Sequence, residues 1–381
     1  MRKVAIVGIA QTKFERQKPG DAFADLVFDV SRRALDDAGI TASELEQTIT
    51  ASQDFYDGRT ISNFAVSDAS ASFMKPESKV AMDGTMALFY AVARIMSGAF
   101  HNALVVSHCK MSQGQPNAIY NAVFDPIYQR HLGLDAHCVH AFQARAYMER
   151  YGVTPEQCAA VVVKSRHNAL KNPVAQEAGL VSVEEVLASP LLADPIHALE
   201  ASPVSDGACA LVLAEARRAE QLTDHPVWIT GIASFMDAYY LGERDLAEPT
   251  SLLKAAKKAY AMAGIEDPSR QIDVAEISEY YSYQELLWSE GLGLCPRGGA
   301  ARMLEERATS LTGPMPINPS GGVLSGNPYT VAGLVRVVEA YLQLACRAGE
   351  HQVEDARTAV AHGTTGPCGQ SHCVVVLSTI S

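Results

Sequence analysis

The clearest chemical signal in this sequence is a Gly/Pro-rich loop near the C-terminus, Asn318–Pro328, which leads into an apolar stretch. Glycine has no Cβ, so such a loop lets the backbone come close to a ligand. Asn327 can donate a side-chain N–H to a ligand oxygen and so stabilise an oxyanion or an enolate. Ser325 and Gly326 precede it, and we predict that they help to bind substrate.

A second group of reactive side chains follows a short apolar strand pattern and reads Ser278-Glu279-Tyr280-Tyr281-Ser282-Tyr283. A carboxylate and several phenols so close together could transfer protons. If the strand continued through this run, Ser278 and Tyr280 would share one face, and Glu279 the other.

A third group lies further on, where His362 ends a strand pattern and a Gly-rich turn carries Cys368 and Gly369. We predict His362 and the Gly369 backbone amide as substrate or oxyanion contacts. We include Cys368 as a candidate reactive thiol.

The elements that hold these groups repeat along the chain. The strand pattern that begins at Val4 recurs at Val227, and the helix pattern that ends in Ala38-Gly39-Ile40 recurs as Ala263-Gly264-Ile265. Each half then has a long apolar helix and a buried strand ending in His. Strands that are apolar throughout and alternate with helices predict a parallel sheet covered on both faces.

This repeat predicts an α/β chain of two similar halves, residues 1–220 and 221–381. A stretch at about 110–200 has no counterpart in the second half. It carries two helix patterns, and we interpret it as an insertion that covers the site.

Composition limits the possible functions. The net charge is −12, which is unfavourable for nonspecific nucleic-acid binding. No apolar run reaches the roughly 18–20 residues of a membrane span, and the first residues do not have the pattern of a signal peptide. The eight cysteines form no CxxC pair, which favours a cytoplasmic location. The short run His137-Cys138-Val139-His140 lacks the further ligands of a zinc site, so we predict no metal.

Three segments carry a family resemblance: Lys164–Gln176, with its Asn-Pro-x-Ala-Gln; Ser205–Ala210, which reads Ser-Asp-Gly-Ala-Cys-Ala; and the Asn318–Pro328 loop. With the repeated halves, they identify the chain as a member of the thiolase superfamily, in its sterol-carrier-type branch, which includes thiolase-fold aldolases. The resemblance implies a duplicated five-layered αβαβα thiolase fold and a homodimer. It also implies acyl-CoA substrates of lipid metabolism, with coenzyme A as part of the substrate and no other cofactor.

Compared with the family motifs, the chain departs at the positions that perform the chemistry. Ala81 stands where the family has its nucleophilic Cys, at the start of the helix Gly84-Thr85-Met86-Ala87-Leu88. Ser278 and Asn327 replace the two catalytic His residues, and Cys368 is displaced by about three positions from the family's last Cys. Alanine cannot form an acyl-enzyme, so the resemblance does not imply ordinary thiolysis.

Three hypotheses remain open at this stage. The chain could make or break a C–C bond next to a CoA thioester without a Cys-bound acyl group, for example by retro-aldol cleavage assisted by a Tyr. It could instead be a catalytically silent subunit of a heteromeric thiolase or acyltransferase complex. The third is acyl transfer through Cys368 or a partner's residue. The resemblance also implies a possible partner protein with an OB fold and a zinc ribbon.

Overall fold

We describe residues 2–380 in a computed structural model of the chain. Eleven strands are present: β1 Val4–Gln11, β2 Thr48–Ala51, β3 Glu77–Val80, β4 Asn102–Lys110, β5 Leu191–Ala193, β6 Ile196–His197, β7 Asp206–Glu215, β8 Val227–Met236, β9 Val274–Glu276, β10 Thr358–Thr365 and β11 Ser371–Ser378. Nine of them form one sheet in the order β3-β2-β4-β7-β1-β8-β11-β10-β9, and β5 and β6 form a separate hairpin.

Thirteen α-helices accompany these strands within the described residues. They are α1 Phe23–Asp37, α2 Asp54–Asp57, α3 Gly84–Met96, α4 Pro116–Asn121, α5 Ala136–Tyr151, α6 Pro155–Ala169, α7 Val183–Ala188, α8 Ala216–Leu222, α9 Thr250–Ala263, α10 Pro268–Gln271, α11 Ser282–Gly291, α12 Ala300–Glu305 and α13 Ala332–Leu344. Among these, no helix is both long enough and apolar enough to cross a membrane.

The sheet is mixed, so the prediction of a parallel sheet is wrong. Only the β2–β3, β2–β4 and β9–β10 pairs are parallel. The remaining pairs of this sheet, β4–β7, β7–β1, β1–β8, β8–β11 and β11–β10, are antiparallel. Burial on both faces causes the continuous apolar pattern, and burial does not depend on strand direction.

The layers follow from how the strand side chains alternate. In β1, Val4 and Ile6 face a core that also contains α3 and α13, whereas Ala5 and Val7 face a second core under α1. Strands β10 and β11 divide in the same way between α3 and α13 on one face and α9 on the other. The predicted five αβαβα layers are thus α1, one half of the sheet, the central pair α3 and α13, the other half of the sheet, and α9.

The two halves also repeat a close contact between strand and helix. A Cβ added to Gly8 of β1 would lie 2.4 Å from the carbonyl oxygen of Ala34 in α1. One added to Gly231 of β8 would lie 2.1 Å from the carbonyl oxygen of Ala259 in α9. Each strand needs glycine here because the helix backbone occupies the space of a side chain.

We expect Gly231→Ala to lower the free energy of unfolding by about 1–3 kcal/mol, because α9 must move away from β8. Urea unfolding followed by circular dichroism measures the change. Gly242→Ala is the matched control, since no atom lies within 4 Å of an added Cβ there. An equal effect of the two substitutions would contradict the close-contact argument.

The two central helices begin side by side. Asp83 accepts hydrogen bonds from the Thr85 backbone N–H at 2.9 Å and, on its other oxygen, from the Gly333 N–H of α13 at 2.9 Å. The Gly84 N–H donates to the Thr330 carbonyl oxygen at 2.8 Å. Burial raises the pKa of Asp83 to about 6. These contacts hold the first residues of α3 and α13 against each other.

Candidate active site

A cavity of about 510 Å³ lies where both halves meet the segment between β4 and β7. Its volume is within the usual range for a small-molecule site. Aromatic and small residues form most of its wall, and none of the described residues that line it is a cysteine. The lining residues are Tyr56, Met111, Gly114, Gln115, Pro116, Asn117, Ala118, Tyr120, Ala136, His137, His140, Ser202, Val204, Tyr280, Tyr281, Gln284, Tyr329, Thr364, Thr365, Gly366 and Gly369.

Two phenols, Tyr280 and Tyr329, lie together in this wall, with ring centroids 5.6 Å apart. The Tyr280 hydroxyl donates to the Tyr329 backbone carbonyl at 2.7 Å, so its proton is already used. The Tyr329 hydroxyl accepts from the Gly366 backbone N–H at 3.2 Å and lies 3.2 Å from the Thr365 hydroxyl. Hydrogen bonds received by the Tyr329 oxygen would stabilise negative charge on it.

The ionisation of these phenols is governed by burial. Burial raises the pKa of Tyr280 well above its ordinary value. It also raises the pKa of Tyr329, where the hydrogen bonds from Thr365 and Gly366 act in the opposite direction. Both side chains are therefore neutral phenols at neutral pH, and at Tyr329 the hydrogen bonds from Thr365 and Gly366 offset part of the rise in pKa.

The Gly/Pro-rich loop is held from behind by Glu279. This carboxylate accepts from the Asn318 side chain at 2.8 Å and from the Leu324 backbone N–H at 3.2 Å. A Cβ on Gly322 would lie 2.0 Å from a Glu279 oxygen, so only glycine fits there. Burial raises the pKa of Glu279 to about 8, and the nearby carboxylate of Glu285 adds to the rise. Glu279 does not line the cavity.

Asn327 is oriented by a buried arginine. Its Oδ1 accepts from Arg336 at 2.7 Å, and the same guanidinium binds the Glu276 carboxylate at 2.6 Å. Since Oδ1 is held in this way, the Nδ2 hydrogens remain available, and they donate to no group within residues 2–380. Asn327 is not among the cavity-lining residues.

Ser278 and His362 lie behind the wall. The Ser278 backbone N–H faces His362 Nδ1 at 3.4 Å, and His362 Nε2 lies 2.8 Å from His372 Nδ1. Burial lowers the pKa of His362 to about 3, so the ring is neutral. The Ser278 hydroxyl has no hydrogen-bond partner within the described part of the chain.

The remaining predicted residues have different surroundings. Ala81 is exposed in the connection between β3 and α3. Gly326 has φ = 101°, and the Ser325 hydroxyl donates to the Gly322 carbonyl at 2.8 Å. Gly369 lines the cavity, and its backbone N–H donates to no acceptor within residues 2–380. Of the ten predicted site residues, the structure places only Tyr280 and Gly369 in the cavity wall.

Sequence reasoning overlooked most of the polar wall, above all Tyr120, His140 and Gln284. Tyr120 and His140 belong to the segment that we interpreted as an insertion. We considered His140 only as a possible metal ligand. The one available signal was the proposal that this segment covers the site. Tyr329, which directly follows the Gly/Pro-rich loop, was not among the predicted site residues.

Cys368 is a buried thiol that does not line the cavity. Its Sγ donates to the Val139 carbonyl at 3.2 Å, and burial raises its pKa to about 12.

Since the thiolate is the nucleophile, we expect iodoacetamide at pH 7.5 to modify the exposed Cys346 first and Cys368 only on unfolding. Peptide mass spectrometry of the native protein and of Cys346→Ser measures this order. Rapid labelling of Cys368 in the native protein would contradict it.

Comparison with known proteins is consistent with this architecture. Residues 4–217 match the family Thiolase, N-terminal domain, and residues 233–379 match Thiolase C-terminal domain-like. The chain belongs to the thiolase superfamily. It is an enzyme of that superfamily, in the branch of sterol-carrier-type thiolases.

Two curated relatives of this chain illustrate the branch. The Acetyl-CoA acetyltransferase of Methanothermobacter thermautotrophicus is 31% identical, over 97% of this chain and 98% of that protein. Human Sterol carrier protein 2 is 30% identical, over 95% of this chain and 70% of that protein. A solved structure described as Ltp2-ChsH2(DUF35) aldolase superposes with a TM-score of 0.82 at 24% identity, over 99% of this chain and 97% of that one.

Proposed function

We propose that this thiolase-superfamily enzyme breaks or makes a C–C bond next to a CoA thioester without a Cys-bound acyl intermediate, and that it does so by retro-aldol chemistry. The observation that supports this most directly is the cavity wall, which presents the adjacent phenols of Tyr280 and Tyr329 and, among its described residues, no cysteine. A relative named Acetyl-CoA acetyltransferase agrees with an acyl-CoA substrate.

In the cleavage direction, a β-hydroxyacyl thioester loses its hydroxyl proton to a base. The Cα–Cβ bond then breaks, which releases an aldehyde or ketone and leaves the thioester enolate. That enolate takes up a proton at Cα to give a shorter acyl-CoA. No nucleophile on the enzyme is needed, but the hydroxyl requires a base and the enolate requires hydrogen-bond donors.

We assign the proton transfer to Tyr329. Its oxygen accepts from the Gly366 N–H and lies within hydrogen-bond distance of the Thr365 hydroxyl, so a phenolate formed there would be stabilised. Tyr280 packs against the Tyr329 ring and fixes its backbone, so we assign Tyr280 a positioning role.

We assign the enolate oxygen to the backbone N–H of Gly369, a residue of the cavity wall, because this group donates to no acceptor within residues 2–380. The Asn327 side chain lies outside the cavity wall, so its role as a second donor stays a prediction. Preorganised donors of this kind stabilise a developing oxyanion because they need no reorientation during the reaction.

A product assay tests the proposal. The purified chain is incubated with 3-hydroxyacyl-CoA and 3-oxoacyl-CoA thioesters, and the mixture is analysed by mass spectrometry. An aldehyde or ketone together with a shortened acyl-CoA supports retro-aldol cleavage. An acyl adduct on a cysteine would instead support acyl transfer, and CoA binding without any product would support a catalytically silent subunit.

A homodimer and a partner protein with an OB fold and a zinc ribbon stay predictions. Strand β3 is an edge strand, and the exposed apolar side chains of Phe64, Phe73 and Met74 lie close to it in the sequence. Apolar side chains near a free sheet edge favour self-association. Light scattering of the isolated chain measures its oligomeric state.

A further inference from the structure

The cavity wall contains a second polar group, which begins at Gln284. The Gln284 Oε1 accepts from the backbone N–H groups of Tyr280 at 3.0 Å and Tyr281 at 3.3 Å. Because a backbone N–H can only donate, the orientation of this amide is fixed. Its NH₂ group therefore points to the other side, where Nε2 lies 3.0 Å from His140 Nδ1.

The tautomer of His140 follows from that contact. A donor at Gln284 Nε2 requires a lone pair on His140 Nδ1, so the ring proton is on Nε2. His140 Nε2 lies 3.1 Å from the Tyr120 hydroxyl oxygen and donates to it. Burial lowers the pKa of His140 to about 3, so the ring stays neutral.

The neighbouring Tyr283 does not change this tautomer of His140. Gln143 Nε2 donates to the Leu246 carbonyl at 3.1 Å, so its Oε1 is the acceptor for the Tyr283 hydroxyl at 2.9 Å. The Tyr283 hydroxyl also lies 3.1 Å from His140 Nδ1, so its proton can be shared between Gln143 Oε1 and that nitrogen. A lone pair on His140 Nδ1 therefore serves both Tyr283 and Gln284.

Hydrogen bonds thus run from Gln284 to His140 and from His140 to Tyr120, and we call this series the donor chain. It ends at Tyr120, which is half-buried and lines the cavity. Its oxygen accepts from His140, and its hydroxyl makes no other hydrogen bond within residues 2–380. Burial raises the pKa of Tyr120 well above its ordinary value, so the phenol keeps its proton. That proton is available to an acceptor in the cavity.

We propose that Tyr120 is a specificity-determining hydrogen-bond donor for an oxygen atom of the acyl group, and that His140 and Gln284 position it. The substrate class is then an acyl thioester whose acyl part carries a hydroxyl or keto oxygen. An unsubstituted alkyl chain would leave the Tyr120 donor buried without a partner, which disfavours its binding. The identity of the ligand as a CoA thioester rests on the proposed function, whereas the direction of the donor chain does not.

Binding measurements test the specificity. Hexanoyl-CoA, 3-hydroxyhexanoyl-CoA and 5-oxohexanoyl-CoA are titrated calorimetrically in the Tyr329→Phe background, where cleavage is slow. We expect at least one oxygenated thioester to bind about tenfold more tightly than hexanoyl-CoA, as one additional hydrogen bond would produce. Adding Tyr120→Phe should remove this preference, and hexanoyl-CoA should bind at least as tightly as before, because no unpaired donor is left.

Gln284→Glu is a sharper variant because it keeps the Tyr120 hydroxyl. A carboxylate facing His140 Nδ1 attracts the ring proton to that nitrogen, so Nε2 becomes an acceptor for the Tyr120 proton. The preference for oxygenated thioesters should again be lost. Tyr90→Phe, on the exposed part of α3, serves as the matched control and should keep the preference.

Nitrogen-15 NMR of the histidine rings tests the donor chain without any substrate, with the His140 signal assigned from His140→Gln. We expect the neutral Nε2–H tautomer in the wild type and a shift towards Nδ1–H in Gln284→Glu. An Nδ1–H tautomer in the wild type would overturn the proposal, as would a preference that survives Tyr120→Phe. Failure of every thioester to bind, with the expected tautomer present, would overturn both the specificity and the acyl-CoA assignment but not the donor chain.

Discussion

Tyr329→Phe should reduce kcat/KM for cleavage of a β-hydroxyacyl-CoA by about 10²- to 10⁴-fold, the usual contribution of a positioned acid or base. The substitution keeps the ring that packs against Tyr280 and removes only the hydroxyl that bonds to Gly366. The loss should appear mainly in kcat, because the hydroxyl acts on the proton that moves in the transition state.

Two further measurements separate chemistry from packing. Burial raises the Tyr329 pKa, so the ionised fraction at neutral pH is small and grows as pH rises. Wild-type cleavage should therefore speed up between pH 6 and 9, and this dependence should disappear in Tyr329→Phe. Tyr280→Phe should give a smaller loss and keep the pH dependence, whereas Tyr90→Phe should change neither. Full activity of Tyr329→Phe would remove Tyr329 from the mechanism.

The second large effect is expected in stability, at the buried ion pair between Arg336 and Glu276. Both side chains are almost fully buried, at 1% and 0% exposure, and their atoms are 2.6 Å apart. Arg336→Met would leave the Glu276 carboxylate buried without its cation. We expect the free energy of unfolding to fall by about 3–5 kcal/mol.

The pH dependence of that loss has a definite sign. Burial already raises the pKa of Glu276, and the charge of Arg336 lowers it. Without Arg336 the folded-state pKa rises further, so the variant loses stability as pH increases from the ordinary carboxyl pKa up to that raised value. The deficit measured by urea unfolding should then be larger at pH 8 than at pH 5.

A second substitution and a surface control complete this experiment. The double variant Arg336→Met/Glu276→Gln removes the unpaired charge and should recover part of the stability. Arg302→Met breaks an exposed pair with Glu306 and should cost less than about 1 kcal/mol. Equal losses for Arg336→Met and Arg302→Met would contradict the assignment of a buried charge pair.

Much of the fold could be predicted from the sequence alone. The repeat that includes Gly8 and Gly231 fixed the two halves, because a strand under a closely packed helix leaves no room for a Cβ in either half. The long apolar helix predicted in each half is present as α3 and α13. The direction of the strands could not be predicted, since burial on both faces produces the same apolar pattern in parallel and antiparallel sheets.

The family and the Gly/Pro-rich loop were likewise determined by the sequence, because both depend on residue types at short spacing. The composition of the cavity wall was decided only by the tertiary structure. Strand β9 ends at Glu276, so the alternation assumed for the following residues does not apply, and Tyr280 and Tyr281 both reach the cavity. Asn327 is oriented by Arg336, and the Tyr120 hydroxyl contacts His140, which in turn contacts Gln284. The chain brings these groups together from distant positions. Backbone geometry imposes local periodicity, whereas a side chain's partners depend on where the whole chain places them.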